Sequence, residues 1–404
     1  MELKHVESNN AKWFYLVLMV LSFTVTFMTR FIWPPLISTV APILNLSAAQ
    51  SGAYMSAFYI GYVITQIPGG VWADKFGVKF TLSLSLLVGG LATVGMSLIS
   101  VYSVGFALRL MTGLGAGSVM ACCTRLIADN FDQSESGVAF GILLTGPTLG
   151  LLIANQLGAA LLNSIGWQGA FRVVGIITII IAVIVFVLVK PQEKETTSQK
   201  KITFFSGIKT FFTTRNLIGI GLSGFFYMFV ALGTATWANA HLANLGFAGG
   251  EAASVMTLYS VGGIIGSIIT GLIVKKFNLD QRNFLIAVYV IIAGVAITFG
   301  NQSQLGALRG IGFLFGLCSY LPNAHLNSLV LKFVNKELAA SVMGVQNFMF
   351  QLASIIAPAI LGWTIDITGN FNTVWYSLGA SPIIGIFFLL IIKQSKQQHT
   401  NLNL

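Results

Sequence analysis

The chain has 404 residues, of which 55% are hydrophobic types and only 8% are charged. An ordinary soluble domain is about one-quarter charged, so 22 basic and 12 acidic side chains cannot supply a water-facing surface. A soluble enzyme is therefore excluded. The net charge of +10 sits in loops and tails, where it orients a membrane protein and does not mark a nucleic-acid binder.

Apolar runs of roughly 20 residues are long enough to cross a bilayer as helices. In chain order they predict twelve spans, at about 13–39, 49–72, 80–100, 104–127, 136–162, 167–189, 216–241, 251–274, 283–299, 305–330, 340–363 and 371–392. The first run is too long for a cleaved leader and reads as a retained helix. The polar, basic segment 190–215, with a short amphipathic stretch, divides the chain into halves at 1–189 and 216–404. Cys122, Cys123 and Cys318 lie in apolar segments with no metal or disulfide spacing, and read as small buried side chains.

Lys4, Lys12, Lys75, Lys79, Arg125, the linker lysines (Lys190, Lys194, Lys200, Lys201, Lys209), Lys275, Lys276, Arg282, Lys332, Lys336, Lys393 and Lys396 fall on one side if the spans alternate. The positive-inside rule then puts both termini in the cytoplasm, in a plasma membrane that for a bacterium is the inner membrane. The halves also echo each other at offsets near 200. Gly70 to Phe76 is echoed by Gly271 to Phe277, and Ala107, Leu108, Arg109 by Ala307, Leu308, Arg309. Internal duplication is a transporter trait, with the site between the repeats near the midplane.

Between spans 2 and 3 stand Gly70, Asp74, Lys75, Gly77 and Lys79. An aspartate at a helix end beside a tight glycine turn can bond to a neighbouring helix N-terminus, while the lysines face anionic lipid. The pattern reads as a conformational latch or as an ordinary solvated turn. Its spacing resembles the signature loop of the major facilitator superfamily, and the resemblance covers the whole chain. Arg109, Gly113, Gly115 and Gly117 are similar to that family's span-4 motif, and Gly146, Pro147 and Gly150 match part of its span-5 motif. The resemblance implies an all-α integral membrane protein with twelve transmembrane helices in two pseudo-symmetric six-helix bundles. The segment around Arg30, Leu44 to Gln50, Ser56 to Tyr59 and Gln66 to Gly70 looks like the anion:cation symporter branch, which carries sugar acids and other organic anions. Arg30 matches that branch's binding arginine. Thr29 and Ala116 stand where the branch has the acids linked to proton coupling. The resemblance thus supports anion binding better than proton symport.

The twelve acids map to loops, tails or helix ends, whereas Arg30, Arg109 and Arg309 map within spans. A cavity with cations and no acids attracts anions, and the guanidinium fork suits carboxylates and phosphates. Arg30 is the expected anchor. Arg109 lines the cavity or braces spans 1 and 4, and Arg309 snorkels to the surface. Further candidate substrate contacts are Trp33, Tyr59, Tyr62, Asn155, Gln156, Tyr227, Trp237, Tyr320, Asn323, His325, Gln346 and Asn347. His325 is also the candidate proton site, and His241 reads as a gate or solvated group. No metal, cofactor or catalytic constellation is expected, so the chain is not read as an enzyme. It reads as a monomeric secondary transporter for a small anionic metabolite, with or without a coupling proton. The alternatives are a proton-independent uniporter or exchanger of amino acids or other small polar metabolites, a channel, or a membrane sensor.

Overall fold

The computed structural model describes residues 9–190, 204–276 and 279–392, and these form an all-helical, multi-pass membrane protein. The expectations for Lys4, Lys194, Lys200, Lys201, Phe277, Lys393 and Lys396 lie outside the described residues. In chain order the helices are α1 (Asn9–Phe31), α2 (Ile37–Ile43), α3 (Ala48–Phe76), α4 (Val78–Gly95), α5 (Tyr102–Ala116), α6 (Val119–Asn130), α7 (Gln133–Leu143) and α8 (Gly146–Leu188). They continue with α9 (Phe204–Thr213), α10 (Arg215–Asn244), α11 (Gly249–Lys276), α12 (Gln281–Asn301), α13 (Leu305–Tyr320), α14 (Pro322–Leu331), α15 (Lys336–Thr368) and α16 (Asn372–Leu390).

Among the described residues, ten segments are long and apolar enough to cross a membrane. One of them, Ser134–Leu188, is 55 residues long, well beyond a single crossing. It reverses at Gly166, whose φ of 72° lies where only glycine sits without strain. Neighbours along α8 trace the reversal. Gly150 lies against Phe27 and Gly158 against Pro35. Arg172 then donates to Ser97 (3.1 Å), Gly175 meets Val94, and Phe186 lies under the Lys79 ammonium at 5.0 Å. The 29-residue α3 falls outside the ten, although it is long enough to cross. It carries Ser, Tyr, Thr and Gln along its length.

Several spans expected to be continuous are interrupted. The first stops at Phe31 and resumes through a 3-10 turn, Pro34–Leu36, because prolines lack the N–H that would continue the helix. The fourth breaks at Gly117–Ser118, the fifth at Leu144–Thr145 and the tenth at Leu321. Helix breaks inside a membrane need substitute partners for the freed carbonyls. Thr65 of α3 donates to Leu114 O (2.8 Å), and Thr270 of α11 donates to Leu321 O (2.9 Å).

Close packing repeats in the same register. A Cβ on Gly61 would strike the Leu110 carbonyl, and one on Gly113 the Phe58 carbonyl. One on Gly262 would strike the Phe313 carbonyl, and one on Gly316 the Tyr259 carbonyl. Small residues thus let α3 meet α5, and α11 meet α13, backbone to backbone. Helices α1 to α8 pack mainly among themselves, as do α10 to α16. Contacts between these groups run along α3–α15 and α8–α11. The segment 190–215 holds α9, which packs on α10 and α15.

Candidate functional site

The chemistry at the centre starts from the C-terminus of α1. A helix end leaves carbonyls without intrahelical donors, and Pro34 has no N–H to offer the Arg30 carbonyl. Arg109, fully buried on α5, fills the gap. Its Nη2 donates to Arg30 O (2.9 Å), its Nη1 to Thr29 O (2.8 Å) and its Nε to Tyr54 O (3.3 Å). Nη2 also lies 3.3 Å from Met55 Sδ. Every nitrogen of this guanidinium is engaged, so Arg109 braces α1, α3 and α5 and is not a free ligand donor.

Arg30 is the opposite case. It is 5% exposed, yet its Nε and Nη2 are buried with no hydrogen-bond partner. Aromatic rings surround its guanidinium carbon: Phe27 at 4.0 Å, Phe58 at 4.8 Å, Tyr62 at 5.0 Å and Tyr59 at 5.1 Å. Ring faces partly offset the cost of a buried cation, but they accept no in-plane N–H bonds. Unmade bonds at a buried charge are expensive, which leaves a donor pair suited to a bidentate anion. Phe58, which sequence reasoning missed, also lies 5.3 Å from Arg109 and serves both cations.

Tyr59 and Tyr62 therefore belong to the Arg30 cage. Tyr320 of α13 reaches the same neighbourhood from the other half, beside Thr148 and Tyr59. Beyond the break at Leu321, Asn323 and Asn327 lie one turn apart. Gln346 Nε2 donates to Asn327 Oδ1 (3.2 Å), and Asn327 Nδ2 to Asn323 Oδ1 (3.3 Å). Gln346 Oε1 is buried and unpartnered, and Asn347 beside it is half-buried. This amide chain is neutral throughout.

Other candidates are engaged in framework bonds. Trp33 Nε1 donates to Ser51 O (2.8 Å) and Trp237 Nε1 to Pro358 O (3.1 Å). The Tyr227 hydroxyl donates to Ser319 O (2.8 Å), a carbonyl freed near the Leu321 break. His325 is buried against α11, with Nε2 2.9 Å from Thr270 Oγ1 and its ring against Phe284. It thus packs between α11 and α12 and does not join the amide chain. Asn155 and Gln156 bridge the halves. Asn239 Nδ2 donates to Asn155 Oδ1 (2.7 Å), and Gln156 bonds Thr257. His241 is buried among Trp375, Phe299 and Phe371, not solvated. Arg309 is exposed and donates to Ser254 (2.9 Å).

At the end carrying the linker, Gly77 holds φ at 86° and lets α3 turn into α4. Gly70 lies near Ala121. Lys75 and Lys79 lie over the Phe76 and Phe186 rings. Asp74 sits 4.0 Å from Arg125, which also pairs with Asp129. Its neighbour is thus a side chain of α6 and not a helix N-terminus. Among the described residues no His, Cys, Asp and Glu cluster could hold a metal.

A family profile described as Major Facilitator Superfamily matches residues 18–358. The hexuronate transporter of Bacillus subtilis (strain 168) is 26% identical, covering 84% of this chain and 85% of that protein. A probable galactarate/D-glucarate transporter of the same organism is 24% identical, covering 96% and 92%. Among solved structures, the nucleoside transporter NupG superposes with a TM-score of 0.79 at 15% identity, covering 96% of this chain and all of that one.

Proposed function

This chain belongs to the Major Facilitator Superfamily, and from that premise we propose that it is a secondary transporter moving a small organic anion by alternating access. The observation that carries the anion reading is Arg30, a caged guanidinium with two buried, unpartnered nitrogens. The names of the relatives agree with it, since hexuronate, galactarate and glucarate are all carboxylates. The substrate carboxylate sits on Arg30, and its uncharged body faces Tyr320 and the Asn323–Asn327–Gln346 chain. The two halves, 1–189 and 216–404, act as six-helix bundles that rock about this site in a twelve-span monomer. The repeated glycine and threonine contacts of α3–α5 and α11–α13 support that duplication. The basic residues on that side support a cytoplasmic linker end.

The placement of His325 favours a second statement, about coupling. With its ring bonded to Thr270 and every carboxylate at a helix end or in a loop or tail, the centre offers no evident proton carrier. Uniport or anion exchange fits this better than proton symport. Thermal-shift measurements on purified protein with hexuronates, aldarates, neutral hexoses and amino acids test the substrate class. Stabilisation by the sugar acids alone is expected, and stabilisation by neutral hexoses alone would overturn it. Liposome uptake of the best ligand, with and without an imposed pH gradient, tests the coupling. Equal rates are expected, and uptake driven by the gradient would restore symport.

A further inference from the structure

We infer that the linker end of the C-terminal half binds one anionic phospholipid, with an acyl chain in a groove between α10 and α16 and the phosphate on Arg215. The groove encloses about 220 Å³. Ile218, Gly219 and Leu222 of α10 form one wall, and Phe388 and Ile391 form the other. Thr213 and Arg215 stand at its rim. Gly219 packs near the Phe388 carbonyl, so the two helices meet closely at the floor while larger side chains hold the sides apart.

The surroundings identify the occupant. Phe212, Phe387 and Leu390 nearby are exposed and apolar, so this face is turned to the bilayer and a chain enters the groove from there. The groove lies at the level of a membrane surface. The amphipathic α9 ends at Thr213, with Phe211 buried against Gly221 and Phe212 exposed. A short helix of this kind lies along an interface. Arg215 is exposed and pairs with no carboxylate among the described residues. Lys209 is exposed on the preceding helix, and Arg282 donates to Ile392 O (3.1 Å) at the end of the opposite wall. An apolar slot with Arg215 at its rim, between helices at the headgroup level, fits an anionic headgroup. A zwitterionic lipid would bring the same phosphate together with a quaternary ammonium that Arg215 repels, so a net-anionic headgroup is favoured. Bound there, the lipid joins the start of α10 to the end of α16.

Native mass spectrometry on the delipidated full chain tests this, with phosphatidylglycerol and phosphatidylcholine in competition. One basic contact is worth about fivefold in lipid preference. The wild type should favour phosphatidylglycerol by about that factor, and Arg215→Ala should lower the preference to near unity. Ile218→Trp, which fills the slot from its wall, should remove one retained lipid per chain whatever its headgroup. An unchanged preference in Arg215→Ala, or full lipid retention in Ile218→Trp, would overturn the site. Inorganic phosphate protecting Arg30→Ala, whose central anion anchor is removed, against heat as well as phosphatidylglycerol does would also overturn it, because the groove would then contribute nothing. None of these readouts involves the transported anion.

Discussion

The two ends of the molecule are held by different kinds of bond. At the end away from the linker, bonds cross between the halves. The Asp366 carboxylate at the close of α15 accepts from Ala48 N (2.7 Å) and Ala49 N (2.8 Å), capping the N-terminus of α3 from the other half. A Cβ on Gly52 would strike the Pro358 carbonyl, and one on Gly362 the Ala48 carbonyl, so α3 and α15 touch backbone to backbone. Asn155–Asn239 and Gln156–Thr257 add polar bridges. At the linker end the ion pairs Lys12–Glu135 and Asp74–Arg125 stay within the first half. Closure at one end therefore rests on steric fit and charge-assisted caps. At the linker end the Asp74–Arg125 pair is exposed and contributes little, while the partly buried Lys12–Glu135 pair ties α1 to α7 inside the first half. The far end is thus where side chains and backbone tie α3 and α8 to α15, α10 and α11.

The glycine contacts give the largest way to break this contrast. Gly362→Leu puts a side chain where a backbone already lies. Overpacking of that kind commonly costs a few kcal/mol, so uptake into liposomes should fall about 100-fold. Spin labels at Asn45 and Asn370 should report a wider far end. Normal uptake would show that α3 and α15 need not meet.

A smaller effect comes from Asp366→Asn, which keeps the shape and removes the charge at the α3 N-terminus. Charge at a helix N-terminus is worth up to about 1 kcal/mol at an exposed site, so the open-to-closed ratio at the far end should rise by up to about fivefold. The same pair of labels measures it. An unchanged distance distribution would reduce the cap to an ornament of the closed state.

Asp74→Asn should do least to this conformer. The Asp74 side chain is 67% exposed and only 4.0 Å from Arg125, so ligand affinity should stay within about twofold. If the loop is a latch in the other state, uptake slows by a few-fold at unchanged binding. Unchanged uptake would leave it a solvated turn.

Composition and run length exposed the membrane class, the helical content and the linker, because they depend on local apolarity. Arg30 was legible for the same reason, as a mid-span cation with no acid nearby. For Arg109 the sequence leaves cavity lining and bracing of spans 1 and 4 both open. Its role as a brace follows from Pro34 withdrawing a donor from the Arg30 carbonyl, a consequence that appears only once α5 lies beside the end of α1. Pro322 marks the break in the tenth span, whereas the one at Gly117–Ser118 is marked only by a Gly-Ser pair, and the bond from Thr65 to Leu114 O that supports it is not local. Asp366 read as one more loop acid, since its partners are 318 and 317 residues away. Asn239 and Thr257 escaped notice because an amide or hydroxyl on a span reads the same whether it bridges halves or stabilises its own helix.

The central claim is that Arg30 anchors a negatively charged substrate. The most direct measurement is the affinity of purified protein for its best anion in the wild type, Arg30→Lys and Arg30→Ala. Removing one partner of a buried charged pair costs about 2–5 kcal/mol. Arg30→Ala should therefore weaken binding by well over tenfold. Arg30→Lys should recover only part of the loss, since a lysine lacks the planar fork. Affinity that is the same in the wild type and in Arg30→Ala would contradict the account.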